Sequence, residues 1–225
     1  MLRNIWLSVL AVGFLAYNAS AAAYSIKRIK ADPPKELDKK IADLLGDQAV
    51  QLVDPKGKVF AEVWMLKELP VKATEAQLQK GLTYDNVPQT SLLAVIRFPE
   101  EFRDYRQQRI RPGVYTLRLG NQPMDGDHMG TALYNQFGVL IPARVDRSPA
   151  PLKDAEQLHA LSTKASNTSH PAIMMLFPNK TPEKEPKVVA KGLGHQVLYF
   201  QEEAVADGKK APLGIGLTVV GHADE

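Results

Sequence analysis

The segment Gln122 to Gly130 (QPMDGDHMG) gathers carboxylate, imidazole and thioether side chains within nine residues. Asp125 and Asp127 would be the first and third ligands of a calcium loop. The fifth and twelfth positions of such a loop would be Met129 and Gln136, where calcium needs an oxygen ligand and a bidentate glutamate. The calcium hypothesis therefore fails at two of its demanding positions.

The same segment also carries soft metal ligands. His128 with Met124 and Met129 supplies imidazole and thioether groups, a set that suits Cu(I) in a protein without thiols. This His–Met pair is similar to that of periplasmic copper chaperones, which have a further methionine ten residues after the pair. The chain has Val139 at that position, so the copper hypothesis is also incomplete.

A polar turn is the interpretation that we favour for this segment. In it, the aspartates and glycine of Asp125 to Asp127 reverse the chain, and the methionines fill gaps in the core. The alternatives are a surface for an organic ligand or partner, and a copper, zinc or calcium site, which His170 and His195 could join only if the fold brought them near. Its candidate metal ligands are Asp125, Asp127, His128 and Met129.

The sequence contains none of the common catalytic motifs. Gly-x-Ser-x-Gly, His-Glu-x-x-His and Gly-Lys-Ser/Thr patterns are missing, and a chain without cysteine has no thiol nucleophile and no cysteine-based zinc site. A local excess of arginine is interpreted as solvated, with an anionic glycan or carboxylate as the alternative partner. These arginines are Arg103, Arg106, Arg109, Arg111 and Arg118. Binding without catalysis is therefore favoured, and a metal-dependent enzyme using His128 is the alternative.

The N-terminus has the pattern of a secretory signal peptide. Ile5 to Tyr17 is an uncharged apolar run that follows Arg3 and precedes the small residues of 19–23. The run is shorter than the roughly 20 residues that span a bilayer. We therefore predict a signal peptide over residues 1–22, cleavage near Ala21 to Ala23, and a periplasmic or secreted product without stable membrane insertion.

Composition predicts one globular domain in the mature chain. The 28 Lys+Arg residues nearly balance the 25 Asp+Glu residues, so no strong electrostatic field for nucleic acid is expected. No disulfide can form, so burial of apolar surface must stabilise the fold. The partners that we expect are an unknown protein, an envelope polymer or a small ligand.

Hydrophobic periodicity predicts a mainly β protein. Residues 23–47 are predicted as an N-terminal arm with a short helix over 35–47, and residues 48–225 as a single domain. Further helices are predicted over 152–165 and, as a short turn, over 99–108. A hairpin is predicted around the turn at 54–57, followed by strands over 91–98, 114–119, 137–141, 172–177, 195–203 and 213–221. Since strands and helices do not alternate, we expect an antiparallel β-sandwich, immunoglobulin-like or related, with two or three short peripheral helices.

The segment Arg111 to Leu117 (RPGVYTL) resembles the tyrosine corner of immunoglobulin-like sandwiches. The resemblance implies that Gly113 enters a strand and that the Tyr115 hydroxyl bonds to nearby backbone. Antibody domains have a cysteine two residues after the tyrosine, where this chain has Leu117. Trp64 is predicted to be the buried tryptophan of such a core.

A wider block, from Phe102 to Gly130, is similar to a family of exported bacterial proteins of unknown function. The similarity extends through most of the mature chain, including VWMLKELP and the turn at Ser169 to Ala172. The resemblance implies export and a β-rich fold, and it supplies no catalytic residue. We therefore expect an exported, non-catalytic protein that binds its partner through loops near residues 120–135.

Overall fold

The computed structural model describes residues 23–123 and 132–223. The candidate metal ligands Asp125, Asp127, His128 and Met129 lie outside these residues, as does the predicted signal peptide. Over the described ranges the chain forms thirteen β-strands and three α-helices.

The N-terminal part forms three paired strands and one turn of helix. The strands are β1 (Ser25–Lys30), β2 (Leu45–Val53) and β3 (Val59–Leu66), and each pairs antiparallel with the next. The segment predicted as an arm therefore contains an edge strand. The β2–β3 hairpin is confirmed, because the Asp54 carboxylate closes its turn by accepting hydrogen bonds from the amides of Lys56 and Lys58, both at 2.8 Å.

The helix predicted over 35–47 is only the single turn α1 (Lys39–Ala42). Asp38 caps its start, and within the helix only Ile41 is buried. The prediction was wrong about the length because β2 begins already at Leu45. Pairing of β2 with β3 satisfies the backbone of this segment.

The middle of the chain contributes β4 (Leu69–Pro70), α2 (Glu75–Lys80) and β5 (Leu92–Phe98). A two-stranded hairpin, β6 (Phe102–Arg103) and β7 (Arg109–Ile110), follows.

The short helix predicted over 99–108 is therefore wrong, since this segment forms the β6–β7 hairpin. Asp104 accepts hydrogen bonds from the amides of Arg106 and Gln108, both at 2.9 Å, and so closes a turn that competes with helix.

The next elements form the part of the fold that positions the candidate site. They are β8 (Gly113–Asn121), β9 (Gln136–Pro142), α3 (Ala155–Ser166) and β10 (Ala172–Asn179). The predicted helix is confirmed as α3. It begins at the Asp154 cap, whose carboxylate accepts the Gln157 amide at 2.8 Å, and it ends at Asn167 in the left-handed conformation.

The C-terminal strands are β11 (Lys187–Ala190), β12 (Gln196–Ala206) and β13 (Lys209–Val220). The large sheet has the order β1-β2-β3-β5-β8-β9-β10-β13-β12-β11, with β4 parallel to β12 and the other neighbours antiparallel. The sheet curls, so that Arg28 in β1 reaches Glu185, just before β11, at 3.2 Å. The mainly β prediction with two or three helices is confirmed, and the described strands other than β4, β6 and β7 follow one continuous order.

The sheet buries apolar side chains on both faces where α3 covers it. Consecutive residues show the alternation: Met174 packs in the larger core cluster, and Met175 packs in a second cluster with Leu158 of α3. Trp64 belongs to the larger cluster, and its indole N–H donates to the Ala31 carbonyl at 3.0 Å. The second cluster, between the sheet and α3, forms the base of the candidate site.

Candidate functional site

A cavity of about 460 Å³ lies between the sheet and the first half of α3. Its floor is apolar and consists of Phe137 and Val139 of β9 and Ile173 of β10. Because His159 and His170 both line it, we call it the histidine cavity. Its size falls within the range of about 300–1,000 Å³ that is typical of small-molecule sites.

Close packing of α3 on the sheet forms one wall of the histidine cavity. Gly120 allows this packing, since a Cβ atom there would lie 2.6 Å from Val139 Cγ2 and 3.5 Å from Leu158 Cδ2. A larger residue at 120 would push helix and sheet apart. The floor is therefore held by core packing and not by surface loops alone.

The polar rim of the cavity comes from three separate elements. Arg106 is in the β6–β7 turn, His159 is on α3, and His170 is in the turn that follows α3. All three side chains belong to exposed residues. The cavity thus combines an apolar floor with a rim that carries one guanidinium and two imidazoles.

A buried carboxylate fixes the turn that carries Arg106. Asp104 is 1 % exposed and accepts the Ile173 amide at 3.1 Å, the Gln108 side-chain amide at 2.9 Å and the turn amides described above. Burial raises the pKa of Asp104, and the hydrogen bonds from Ile173, Gln108 and Arg106 oppose this rise. The Tyr105 amide also donates to the Ile173 carbonyl at 2.9 Å. The turn is thereby anchored to β10, directly at the cavity floor.

Arg106 differs from most described arginines because its side chain has no hydrogen-bond or ion-pair partner among the described residues. Arg111 and Arg144 share this property. The other described arginines bond to carboxylates or to a backbone carbonyl: Arg28, Arg97, Arg103, Arg109, Arg118 and Arg147. An unpaired guanidinium beside an apolar floor can bind the carboxylate or sulfonate of a ligand in bidentate geometry.

The predicted metal site cannot be placed in the fold, because Asp125, Asp127, His128 and Met129 lie outside the described residues. The residues on either side, Pro123 and Ala132, both line the histidine cavity. Within the described part of the chain, no group of three or more His, Cys, Asp or Glu residues could hold a metal ion.

The described histidines His159, His170 and His195 occupy different environments. His170 lines the histidine cavity, whereas His195 is fully buried, with ring centroids 5.8 Å from Tyr105 and 5.9 Å from Phe177. Its Nδ1 lies 2.7 Å from the Gly192 carbonyl oxygen. His159 is exposed at the rim, and its neighbour Leu158 is buried.

The structure also shows the environments of Arg118 and of the tyrosine segment. Arg118 was interpreted as solvated, but it is fully buried and paired with Asp146, because its side chain lies on the face of β8 that loops cover. The Tyr115 hydroxyl donates to the Arg111 carbonyl at 2.7 Å. Gly113 lies against this ring, and a Cβ atom there would be 3.7 Å from Tyr115 Cε2.

Comparison of the chain with protein-family models, with curated proteins and with solved structures gave no match. The geometry of the site therefore carries the functional interpretation. Among the described residues, no α-helix combines the length and apolar character needed to cross a membrane.

Within the described residues, no histidine side chain at the cavity has a hydrogen bond to a serine or a carboxylate. Sequence reasoning missed the cavity because its lining residues range from Gln89 to Ala223. One signal was present: segments 137–141 and 172–177 are apolar at both alternating positions, which indicates strands covered on both faces.

Proposed function

We propose that this protein binds a small organic anion with an apolar body in the histidine cavity. The observation that carries the proposal is the guanidinium of Arg106 beside the apolar floor of the cavity, with no hydrogen-bond or ion-pair partner among the described residues. Among the partners expected from the sequence, a small ligand fits a concave cavity of this volume better than a protein or an envelope polymer does.

Each part of the cavity has a separate role in this proposal. Phe137, Val139 and Ile173 remove the apolar body of the ligand from water. Arg106 binds the anionic group, and the imidazoles of His159 and His170 add hydrogen bonds at the rim. The buried Asp104 holds the Arg106 turn in place, which lowers the entropic cost of binding.

A fluorescence titration with anilinonaphthalene sulfonate, an aromatic anion, tests the proposal. Ala155 is an exposed residue of α3 that lines the cavity, so Ala155→Phe should fill the space and abolish binding. Ala160→Phe, on the same helix but away from the cavity lining, is the matched control and should bind like the wild type. Equal affinities of the two variants would refute the proposal.

Arg106→Gln separates the electrostatic contribution from the apolar one. Loss of a charge-assisted hydrogen bond, worth about 1.5–3 kcal/mol, should lower the affinity for the probe about 10- to 150-fold. Removing an exposed cation elsewhere, for example by Lys56→Gln, should change the affinity less than twofold. If the Arg106→Gln variant has wild-type affinity, the proposed contact between Arg106 and the anionic group of the ligand is contradicted.

We also propose that the protein is exported, as the pattern of Ile5 to Tyr17 indicates. Sequencing of the mature N-terminus should find it between Ala22 and Tyr24, and recovery of Met1 from the membrane fraction would contradict export. The immunoglobulin-like sandwich and the exported family of unknown function stay predictions. The hydrogen bond from Tyr115 to Arg111 supports the tyrosine-corner part of that interpretation.

A further inference from the structure

A second cavity, of about 280 Å³, lies at the other end of α3. Its cationic side chains are Arg111 before β8, Arg144 after β9 and Lys164 in the last turn of α3. Glu36 is its one acidic lining residue. We call it the cationic cavity. It shares no lining residue with the histidine cavity, so the two can be tested independently.

The charges of the cationic cavity are not neutralised within the described residues. Arg111, Arg144 and Lys164 have no ion pair or side-chain hydrogen bond there, and Glu36 has none either. Three cations against one carboxylate leave two positive charges at this site. Some cations elsewhere on the surface pair with acids, as Lys39 does with Asp43 at 2.7 Å.

The backbone that carries the two arginines is held by hydrogen bonds. The Ala143 amide donates to the Val114 carbonyl at 2.9 Å, which ties the segment before Arg144 to the start of β8. The bond from the Tyr115 hydroxyl to the Arg111 carbonyl fixes the other side.

The guanidiniums of Arg111 and Arg144 both interact electrostatically with the Tyr115 hydroxyl. Burial raises the pKa of Tyr115, and the positive charges of Arg144 and Arg111 lower it. Tyr115 also lines the cationic cavity, so the two arginines share one wall of it.

Lys164 has a structural explanation that the arginines do not share. A lysine in the last turn of a helix interacts favourably with the partial negative charge of the helix C-terminus. Arg111 and Arg144 lie outside any helix, and their fork of N–H donors matches the oxygens of a phosphate or sulfate group. The two arginines are consequently the residues that indicate a ligand.

We propose that the cationic cavity binds a doubly charged tetrahedral oxyanion, a phosphate or a sulfate group. Arg111 and Arg144 donate hydrogen bonds to its oxygens, and Lys164 adds a third positive charge. The two charges of the anion balance the two unopposed charges of the site. This site is distinct from the one that binds the organic anion.

Isothermal titration of the purified protein with inorganic phosphate and, separately, with sulfate tests this proposal at low ionic strength. The wild type should bind at least one of the two with one-to-one stoichiometry, and more weakly as salt is added. The double variant Arg111→Gln/Arg144→Gln should bind at least tenfold more weakly. Lys27→Gln/Lys30→Gln removes the same charge from exposed positions of β1 and should bind within twofold of wild type.

Two further variants distinguish a loss of oxyanion binding caused by misfolding, or binding in the histidine cavity, from the proposed site. Glu36→Gln removes the opposing carboxylate and retains every cation, so it should tighten binding about two- to fivefold. Ala155→Phe, which fills the histidine cavity, should leave oxyanion affinity unchanged. The proposal is overturned if neither anion binds the wild type, if the arginine variant binds like the Lys27/Lys30 control, if Glu36→Gln does not tighten binding, or if Ala155→Phe removes it.

Discussion

The buried ion pair between Arg118 and Asp146 should be the most sensitive polar contact in the fold. Both side chains are fully buried, with Nε to Oδ2 at 2.7 Å and Nη2 to Oδ1 at 3.0 Å. The guanidinium also donates to the carbonyls of Thr90, at 2.8 Å, and Ala150, at 3.0 Å, and to that of Ser148. The loop that leads into α3 is thus organised around one side chain of β8.

Substitution of Asp146 by alanine should cost about 3–5 kcal/mol of unfolding free energy, since it leaves a buried guanidinium without its counter-ion. The variant also loses the hydrogen bond that Thr116 donates to Asp146 at 2.5 Å. The control is Glu100→Ala, which breaks the exposed pair with Lys58 at 3.2 Å and should cost about 0–1 kcal/mol. Because the disturbed loop precedes α3, Asp146→Ala should also weaken probe binding in the histidine cavity.

Urea unfolding followed by the fluorescence of Trp64 measures these differences. The chain has one other tryptophan, Trp6, which lies in the predicted signal peptide. A double variant, Arg118→Met/Asp146→Leu, removes both charges and should lose less stability than Asp146→Ala alone. The reasoning fails if Asp146→Ala loses less than about 1 kcal/mol, or if the double variant is the less stable of the two.

Three further tests concern Glu202, Gly216 and His128. Burial raises the pKa of Glu202 well above its ordinary value of 4.5, against a smaller lowering by the Leu66 amide. The stability that neutral Glu202 contributes is therefore fully present below pH 4.5. It is lost as the pH rises through the raised pKa of Glu202 in the folded protein. Glu202→Gln should flatten the stability profile above pH 4.5 in pH-dependent urea unfolding, and parallel profiles would contradict this. Gly216→Ala should destabilise by about 1–3 kcal/mol in thermal unfolding, because its Cβ would lie 2.7 Å from the Phe177 carbonyl oxygen. Gly192→Ala, with no atom within 4 Å, is the control, and equal losses would argue against the close contact. If the metal hypothesis holds, copper or zinc should bind near stoichiometrically by equilibrium dialysis, and His128→Ala should abolish binding. Absence of uptake of Cu(I), Zn²⁺ and Ca²⁺ would remove the hypothesis.

Local patterns in the sequence predicted the elements whose stability depends on near neighbours. The Asp54 turn, the capped helix α3 and strands with strong apolar alternation were recognised from residue type and period. The helix over 35–47 and the turn of helix over 99–108 were wrong for a common reason. In both segments the chain forms β-structure whose partners come from pairing that local periodicity does not specify.

Local sequence patterns indicate even less about which residues meet at the candidate site. The sequence could list Arg106, His159 and His170, but their separation along the chain does not indicate that they share a cavity. Arg118 is close to Arg111 in sequence, yet one is buried in an ion pair and the other lines the cationic cavity. Arg118 lies within β8 and Arg111 in the loop before it, and the fold decides what covers each position.

The sequence by itself determined the mainly β character of the protein, the position of α3 and the lack of thiol chemistry. These properties depend on composition, periodicity and capping, which act over a few neighbouring residues. Tertiary structure decided which side chains meet, because the curled sheet and α3 bring together residues from Gln89 to Ala223 around one cavity. Burial and charge pairing depend on those distant contacts, so only the folded chain shows which arginines have no partner among the described residues.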